Sequence, residues 1–177
     1  NDVFSFSQKV KQSDSAVSYN SIYSAFTPRI NADGRTINRV AISQYNVADS
    51  LTSDSQLTAK WNVGAFENTS IVGLDYQRVA LGGARGVGGS AAPIDYLNPQ
   101  YGNFTAPVLR DIAGTLQTQT GIYAQHQVKY DKRWLSTVGI RRDWAKSETD
   151  NAPASNLDAS TNTYKASLGY ITDFGAM

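Results

Sequence analysis

The sequence predicts an all-β chain: about seven antiparallel, up-and-down strands forming a segment of a transmembrane β-barrel. Three observations carry that expectation. Hydropathy alternates with period two over long stretches, connections are short at one end and long at the other, and aromatic residues recur at bilayer spacing. The 177 residues are a one-domain length, and 16 Lys+Arg against 15 Asp+Glu leave a net charge of +1. That balance argues against a nucleic-acid partner, which calls for a concentrated basic patch. Charged residues make up 18% of the chain, and the polarity comes instead from Ser, Thr, Asn and Gln. Ten Tyr, six Phe and three Trp argue against disorder. The absence of Cys excludes disulfides, thiolate metal sites and cysteine nucleophiles, and one His with one Met argues against a histidine-rich or soft metal site. No window reaches the ~18 apolar residues of a membrane helix, a statement that does not touch membrane strands. The N-terminus lacks the basic and apolar regions of a signal peptide, so Asn1 is expected to be a processed or internal start.

Strand one is expected at roughly 2–12, with Phe4, Phe6 and Val10 on one face. Ser13-Asp14-Ser15 reads as a turn into strand two, 15–27, where Val17, Tyr19, Tyr23 and Ala25 align. Pro28 to Arg35, with Asp33-Gly34, is the next turn. Strand three, about 36–63, ends with Leu57, Ala59, Trp61 and Val63 alternating against Gln56, Thr58, Lys60 and Asn62. Gly64 to Glu67 turns into strand four, about 68–81, with Val72, Leu74 and Tyr76 on a shared face. Gly82 to Gly89 lacks the Gly-Lys-Ser/Thr ending of a phosphate cradle and reads as a flexible loop. Strand five, 116–130, places Leu116, Ile122, Ala124, Val128 and Tyr130 opposite Gln117, Gln119, Gln125, Gln127 and Lys129. Asp131 to Arg133 closes a hairpin to strand six, 134–144, with Trp134, Val138, Ile140 and Trp144 together. Strand seven, about 161–172, alternates Tyr164, Ala166, Leu168 and Tyr170 with Lys165, Ser167 and Gly169.

Short turns near 12–15, 64–67 and 131–133 fall at one end of such a meander, and 28–35, 82–112 and 148–160 fall at the other. Outer-membrane barrels have this asymmetry. Trp134 and Trp144 share a face ten residues apart, which is about 33 Å of strand, or roughly 25 Å along the membrane normal at a tilt of ~40°. Trp61 and Tyr130 would sit at the short-turn end, with Tyr76 and Tyr164 toward the long-loop end. The competing reading is a soluble sandwich or lipocalin-like barrel in which the apolar face is a core. The long Gln-, Asn-, Thr- and Lys-rich opposite face suits a watery or plugged lumen better.

No catalytic constellation assembles, and the chain is not expected to be an enzyme. His126, the lone imidazole, falls on the apolar face with Ala124 and Val128 and reads as an interfacial or surface residue. Glu148, Asp150 and Asp158, with Asn151 and Asn156, share a long loop that reads as solvated in preference to a cation site. Tyr23 and Phe26, at the long-loop end of strand two, are open to three readings: interfacial belt, packing, or the lining of an external ligand site.

From about Ala41 onward, six motifs stand in order. These are Asp54-Ser55-Gln56-Leu57-Thr58-Ala59-Lys60-Trp61, Ile71-Val72-Gly73-Leu74-Asp75-Tyr76 and Asp95-Tyr96-Leu97-Asn98-Pro99-Gln100-Tyr101. They are followed by Thr120-Gly121-Ile122-Tyr123-Ala124-Gln125-His126-Gln127, by Gly139-Ile140-Arg141-Arg142-Asp143-Trp144, and by Lys165 to Tyr170 with Asp173 and Gly175. In this order and spacing the chain resembles the barrel of TonB-dependent ferric-siderophore receptors, most closely the ferrichrome/hydroxamate type. The resemblance implies a 22-stranded parent barrel in the Gram-negative outer membrane, of which residues 1–177 form an internal part. The plug domain and the remaining strands are expected to lie outside it. It further implies active uptake of a ferric hydroxamate-type siderophore as transported ligand, energised by TonB through the N-terminal plug region, with outer-membrane lipid as surroundings and no cofactor. The family's Tyr-Gly-Tyr ligand pattern corresponds here to Tyr23-Ser24-Ala25-Phe26, which implies ligand-binding roles for Tyr23 and, with a one-residue shift, Phe26. His126 stands where the family has Asp. The alternative of another class is a small structural or adhesive outer-membrane barrel of about eight strands without transport.

Overall fold

The structure is a computed structural model that describes residues 3–172 and 175–176. Asp2, expected to open strand one, and Asp173 of the last motif lie outside the described residues. Among the described residues ten strands follow in order: β1 (Phe4–Ser24), β2 (Thr36–Val63), β3 (Phe66–Val87), β4 (Ser90–Asp95), β5 (Phe104–Thr105), β6 (Val108–Asp111), β7 (Thr115–Tyr130), β8 (Trp134–Thr149), β9 (Leu157–Thr172) and β10 (Gly175–Ala176). A single 3-10 turn, Pro153–Ser155, sits between β8 and β9. The all-β antiparallel expectation holds, with one merger. The turn expected at Ser13-Asp14-Ser15 does not form, and strands one and two are the single 21-residue β1. No glycine stands among these three residues to favour the φ > 0 positions of a tight hairpin turn. Their neighbours remain paired instead: Ser50 Oγ donates to the Ser13 carbonyl at 3.3 Å and Thr52 Oγ1 to that of Lys11 at 3.5 Å. Six long strands therefore replace the expected seven.

The chain divides into two compact units. The first comprises residues 1–13, 50–79 and 116–177. Its strand order runs β10-β9-β8-β7-β3-β2, with β1 also on β2, where the Lys60 N–H donates to the Val3 carbonyl at 2.8 Å. Gly64, at φ +59°, lies in the two-residue link from β2 to β3. Asp131 and Lys132, at φ +48° and +58°, turn β7 into β8, closed by the Arg133 N–H on the Tyr130 carbonyl at 3.1 Å. β8 and β9 pair without a break from Trp134↔Tyr170 to Ser147↔Leu157. Apolar positions along the strands of this unit stand bare: Phe4 and Phe6, Val72, Ile122, Val138 and Ile140 are all exposed, and Leu168 is 73% exposed. Among the described residues the only buried apolar side chains are Ala41 and Ala84, neither in this unit. The period-two alternation of the sequence is thus realised as one apolar and one polar face.

The second unit comprises residues 14–49 and 80–115. Here β3 pairs with β6 from Ala84↔Asp111 to Val87↔Val108, β2 pairs with β4 at Thr36↔Asp95 and Ile37↔Ile94, and β4 pairs with β5. The glycine-rich run expected as a flexible loop is mostly strand, since β3 continues to Val87. Three of its glycines, Gly83, Gly86 and Gly89, are sites of close approach. Gly83, at φ +144°, lies against the Tyr45 carbonyl, and a Cβ at Gly86 or Gly89 would overlap Pro107. The same Cβ atoms would also crowd Ser43 and the Ala41 carbonyl, and both of these residues are buried. The long segment between β3 and β7 is thus folded down as β4, β5 and β6. The connection between β8 and β9 shrinks to 150–156.

Ion pairs and caps secure the turn at 25–35. Arg35 pairs with Asp95, and Arg39 Nε donates to the Ala92 carbonyl at 2.7 Å. Asp33 accepts the Thr36 hydroxyl and the N–H groups of Thr36 and Arg35, at 2.8 and 2.9 Å for the last two. These bonds, the Thr36 hydroxyl first, lower the Asp33 carboxyl from 3.8 to about 2. A depressed carboxyl stabilises its fold above its ordinary range and withdraws that support as pH falls through the lowered value. The backbone amide NMR shifts of Arg35 and Thr36 are therefore expected to titrate with a midpoint near 2, and Asp33→Asn should abolish the inflection. A midpoint near 4, the free-carboxylate value, would show that the turn does not hold Asp33 as described.

Candidate functional site

The polar face of the first unit is assembled from one short piece of each of four strands. Asp54 and Gln56 come from β2, Asp75 from β3, Gln119 and Tyr123 from β7, and Arg141 and Asp143 from β8. Period-two alternation turns these side chains to the face opposite Leu57, Leu74, Ile122 and Ile140. Arg141 is the hub. Its Nη1 and Nη2 donate to the two Asp75 oxygens at 2.6 and 3.0 Å, a bidentate pair, and its Nε donates to both Asp143 oxygens at 2.9 and 2.8 Å. Gln119 adds a bond to Asp143 at 3.3 Å. Tyr123 OH donates to Asp54 at 3.2 Å and accepts from Gln56 Nε2 at 3.3 Å, while the Arg141 guanidinium stands 5.7 Å over the Tyr123 ring. Planar, bidentate recognition of carboxylate is what guanidinium geometry favours.

Two glycines make room for this network. A Cβ on Gly73 would overlap the Tyr123 ring, and one on Gly121 would overlap the Arg141 guanidinium. Neither strand alone discloses the arrangement. Yet Asp54, Gln56, Gly73, Asp75, Gly121, Tyr123, Arg141 and Asp143 all belong to the six ordered motifs, and polar residues recurring inside period-two strands are the signal that marks them.

Tyr23 ends near the top of β1, half-buried, with its ring edge-on to Phe26 at 5.8 Å and 66°. Phe26 follows the strand and is 77% exposed. The two residues singled out in the sequence are thus one aromatic pair. Of the acids expected in one long loop, Glu148 lies in β8 and Asp158 in β9, where Asp158 pairs with Lys146 at 3.4 Å; in the connection itself Asn156 Oδ1 accepts the Thr149 N–H at 2.9 Å. Among the described residues no trio of His, Cys, Asp or Glu is placed to hold a metal.

Aromatic rings cluster near the short-turn end of the first unit. Phe66 packs on Tyr130 at 4.8 Å and Trp134 on Tyr170 at 4.8 Å, with Arg133 Nη1 donating to Tyr170 OH at 3.1 Å. Trp144, ten residues along β8 from Trp134, has the Arg142 guanidinium 5.1 Å over its ring.

Bare apolar residues on one face, a hydrogen-bonded polar network on the other and rings at both ends define a length of outer-membrane β-barrel wall. The chain belongs to the TonB dependent receptor-like, beta-barrel family, which it matches over residues 1–174. It is similar to the ferrichrome outer membrane transporter/phage receptor of Escherichia coli K12, with 26% identity covering 99% of this chain and 27% of that protein. It is likewise similar to the ferrioxamine B receptor of Salmonella typhimurium SL1344, with 30% identity covering 97% and 24%. Among solved structures, the ferric preacinetobactin receptor of Acinetobacter baumannii superposes with a TM-score of 0.81 at 14% identity, over 96% of this chain and 26% of that one. That likeness speaks for the fold. The chain spans about a quarter of the length of the relatives it matches.

If Arg141 is the common partner of two carboxylates, removing either side of the pair should be strongly non-additive. A double-mutant cycle of Arg141→Ala and Asp75→Ala, read by denaturant unfolding of the full-length protein, is expected to give a coupling of about 0.5–3 kcal/mol. Simple additivity would mean that the bidentate pair does not contribute to stability.

Proposed function

We propose that the protein containing this chain is an active importer of a ferric-siderophore complex of the hydroxamate class across the outer membrane. The observation that carries the reading is the similarity, over 97–99% of this chain, to proteins named for ferrichrome and ferrioxamine B. In this reading TonB supplies the energy through a plug region outside the chain. The chain itself supplies barrel wall and the loop-end segments. No covalent chemistry is required.

The polar face offers amide, hydroxyl and charged groups toward a watery passage, while the Tyr23–Phe26 pair offers a stacking surface at the loop end. Large aromatic side chains give apolar contact area together with a polar tip in Tyr, a suitable surface for a bulky chelate. Tyr23 and Phe26 are accordingly assigned to the ligand pocket. In the full-length protein, Tyr23→Ala is expected to weaken ferric hydroxamate binding several-fold, measured by fluorescence quenching or calorimetry, with Phe26→Ala acting in the same direction. Unchanged affinity in both variants would return the pair to a packing or belt role.

A further inference from the structure

The apolar face of the first unit has a polar interruption near its aromatic end. Ser70 of β3 and His126 of β7 meet there, Ser70 Oγ lying 2.8 Å from His126 Nδ1. The imidazole stacks on Trp61 with centroids 5.8 Å apart and planes at 28°. Both residues share the strand parity of Val72 and Ala124, the side that carries the exposed apolar residues. A polar ring facing hydrocarbon is costly unless its hydrogen-bonding atoms find partners. Ser70 serves Nδ1 alone. If the Ser70 hydroxyl donates, Nε2 carries the ring proton and calls for an acceptor. If it accepts, Nε2 presents a lone pair and calls for a donor.

Beside this pair lies a groove of about 400 Å³, lined by Val72, Ala124, Val138 and Ile140, with Ser70 and His126 also on its rim. Ala124 forms its floor, a methyl between the longer side chains of Val72 and Ile140, both exposed. The groove is apolar over most of its lining and polar at the histidine. Trp61, an amphipathic ring of the kind that settles at head-group level, is stacked on that same histidine.

We propose that this groove is a binding site for one glycerophospholipid of the surrounding bilayer. An acyl chain lies over Ala124, and a polar group of the glycerol-ester or head-group region bonds to His126 Nε2. Phosphatidylethanolamine suits either tautomer, because its phosphate and ester oxygens accept and its ammonium donates. The inference rests on the lipid-facing orientation of the apolar face and not on uptake of any ligand. Its failure and the failure of the transport reading are therefore separable: the first is read with lipid, the second with a ferric chelate at Tyr23.

The test is titration of the full-length protein in detergent with palmitoyl-oleoyl phosphatidylethanolamine, counting retained lipids by native mass spectrometry. Wild type is expected to retain one lipid more tightly than His126→Leu or Ala124→Phe by at least threefold. Ser70→Ala should fall between, since it leaves the imidazole but frees its orientation. Heat-modifiable gel migration shows that each variant is folded. Equal retention by wild type, His126→Leu and Ala124→Phe would overturn the proposal. So would a dimer of the wild type that Ala124→Phe abolishes, since a second copy of the chain would then cover the groove.

Discussion

A strand crossing hydrocarbon has nowhere to place its N–H and C=O groups except on the next strand. That constraint makes continuous lateral pairing the first requirement of this chain. The unbroken β8–β9 register from Trp134↔Tyr170 to Ser147↔Leu157 meets it. Once the backbone is paired, the pleat sorts every side chain to one face or the other. Trp134, Val138, Ile140 and Trp144 fall on one side of β8, and Thr137, Gly139, Arg141 and Asp143 on the other. The bare apolar side follows from the same geometry, since a single sheet has no second layer to cover it.

The polar side has the opposite difficulty, because strands on either side of a common neighbour place like charges within reach of one long side chain. Asp75 and Asp143 come from strands separated by β7, and Arg141 bridges them while resting over the Tyr123 ring. Its reach across β7 depends on Gly121 having no side chain, and the Tyr123 ring depends likewise on Gly73. Small residues here supply space for long ones, so four strands are joined by side chains as well as by backbone. In the second unit glycine serves a different end, admitting Pro107 and the Tyr45 carbonyl close to the backbone of β3.

Much of this architecture is legible in the amino-acid sequence. Alternation alone locates β7, β8, β9 and the lower half of β2, because a half-exposed strand writes its two environments at every second residue. Ser13-Asp14-Ser15 misleads because small polar residues suit a turn and a polar pleat equally well, and only the partner strand decides between them. The glycine-rich run misleads for a related reason, as glycine marks close approach as readily as flexibility. Arg141 and its partners are visible as motif residues but not as a site, since their convergence depends on inter-strand register. Parity places His126 on the correct face, whereas Ser70 opposite it emerges only through the pairing of β3 with β7.

The central claim is that the apolar face meets lipid and the polar face meets water. Single cysteines can be introduced from position 134 to position 144 of β8 in a cysteine-free background of the full-length protein. Each would carry a nitroxide label and be reconstituted in lipid vesicles for accessibility measurements with oxygen and a water-soluble nickel chelate. The account predicts period-two behaviour, with even positions reached by oxygen and odd positions reached, where space allows, by the chelate. Equal access of the chelate to both parities through the middle of the strand would contradict it.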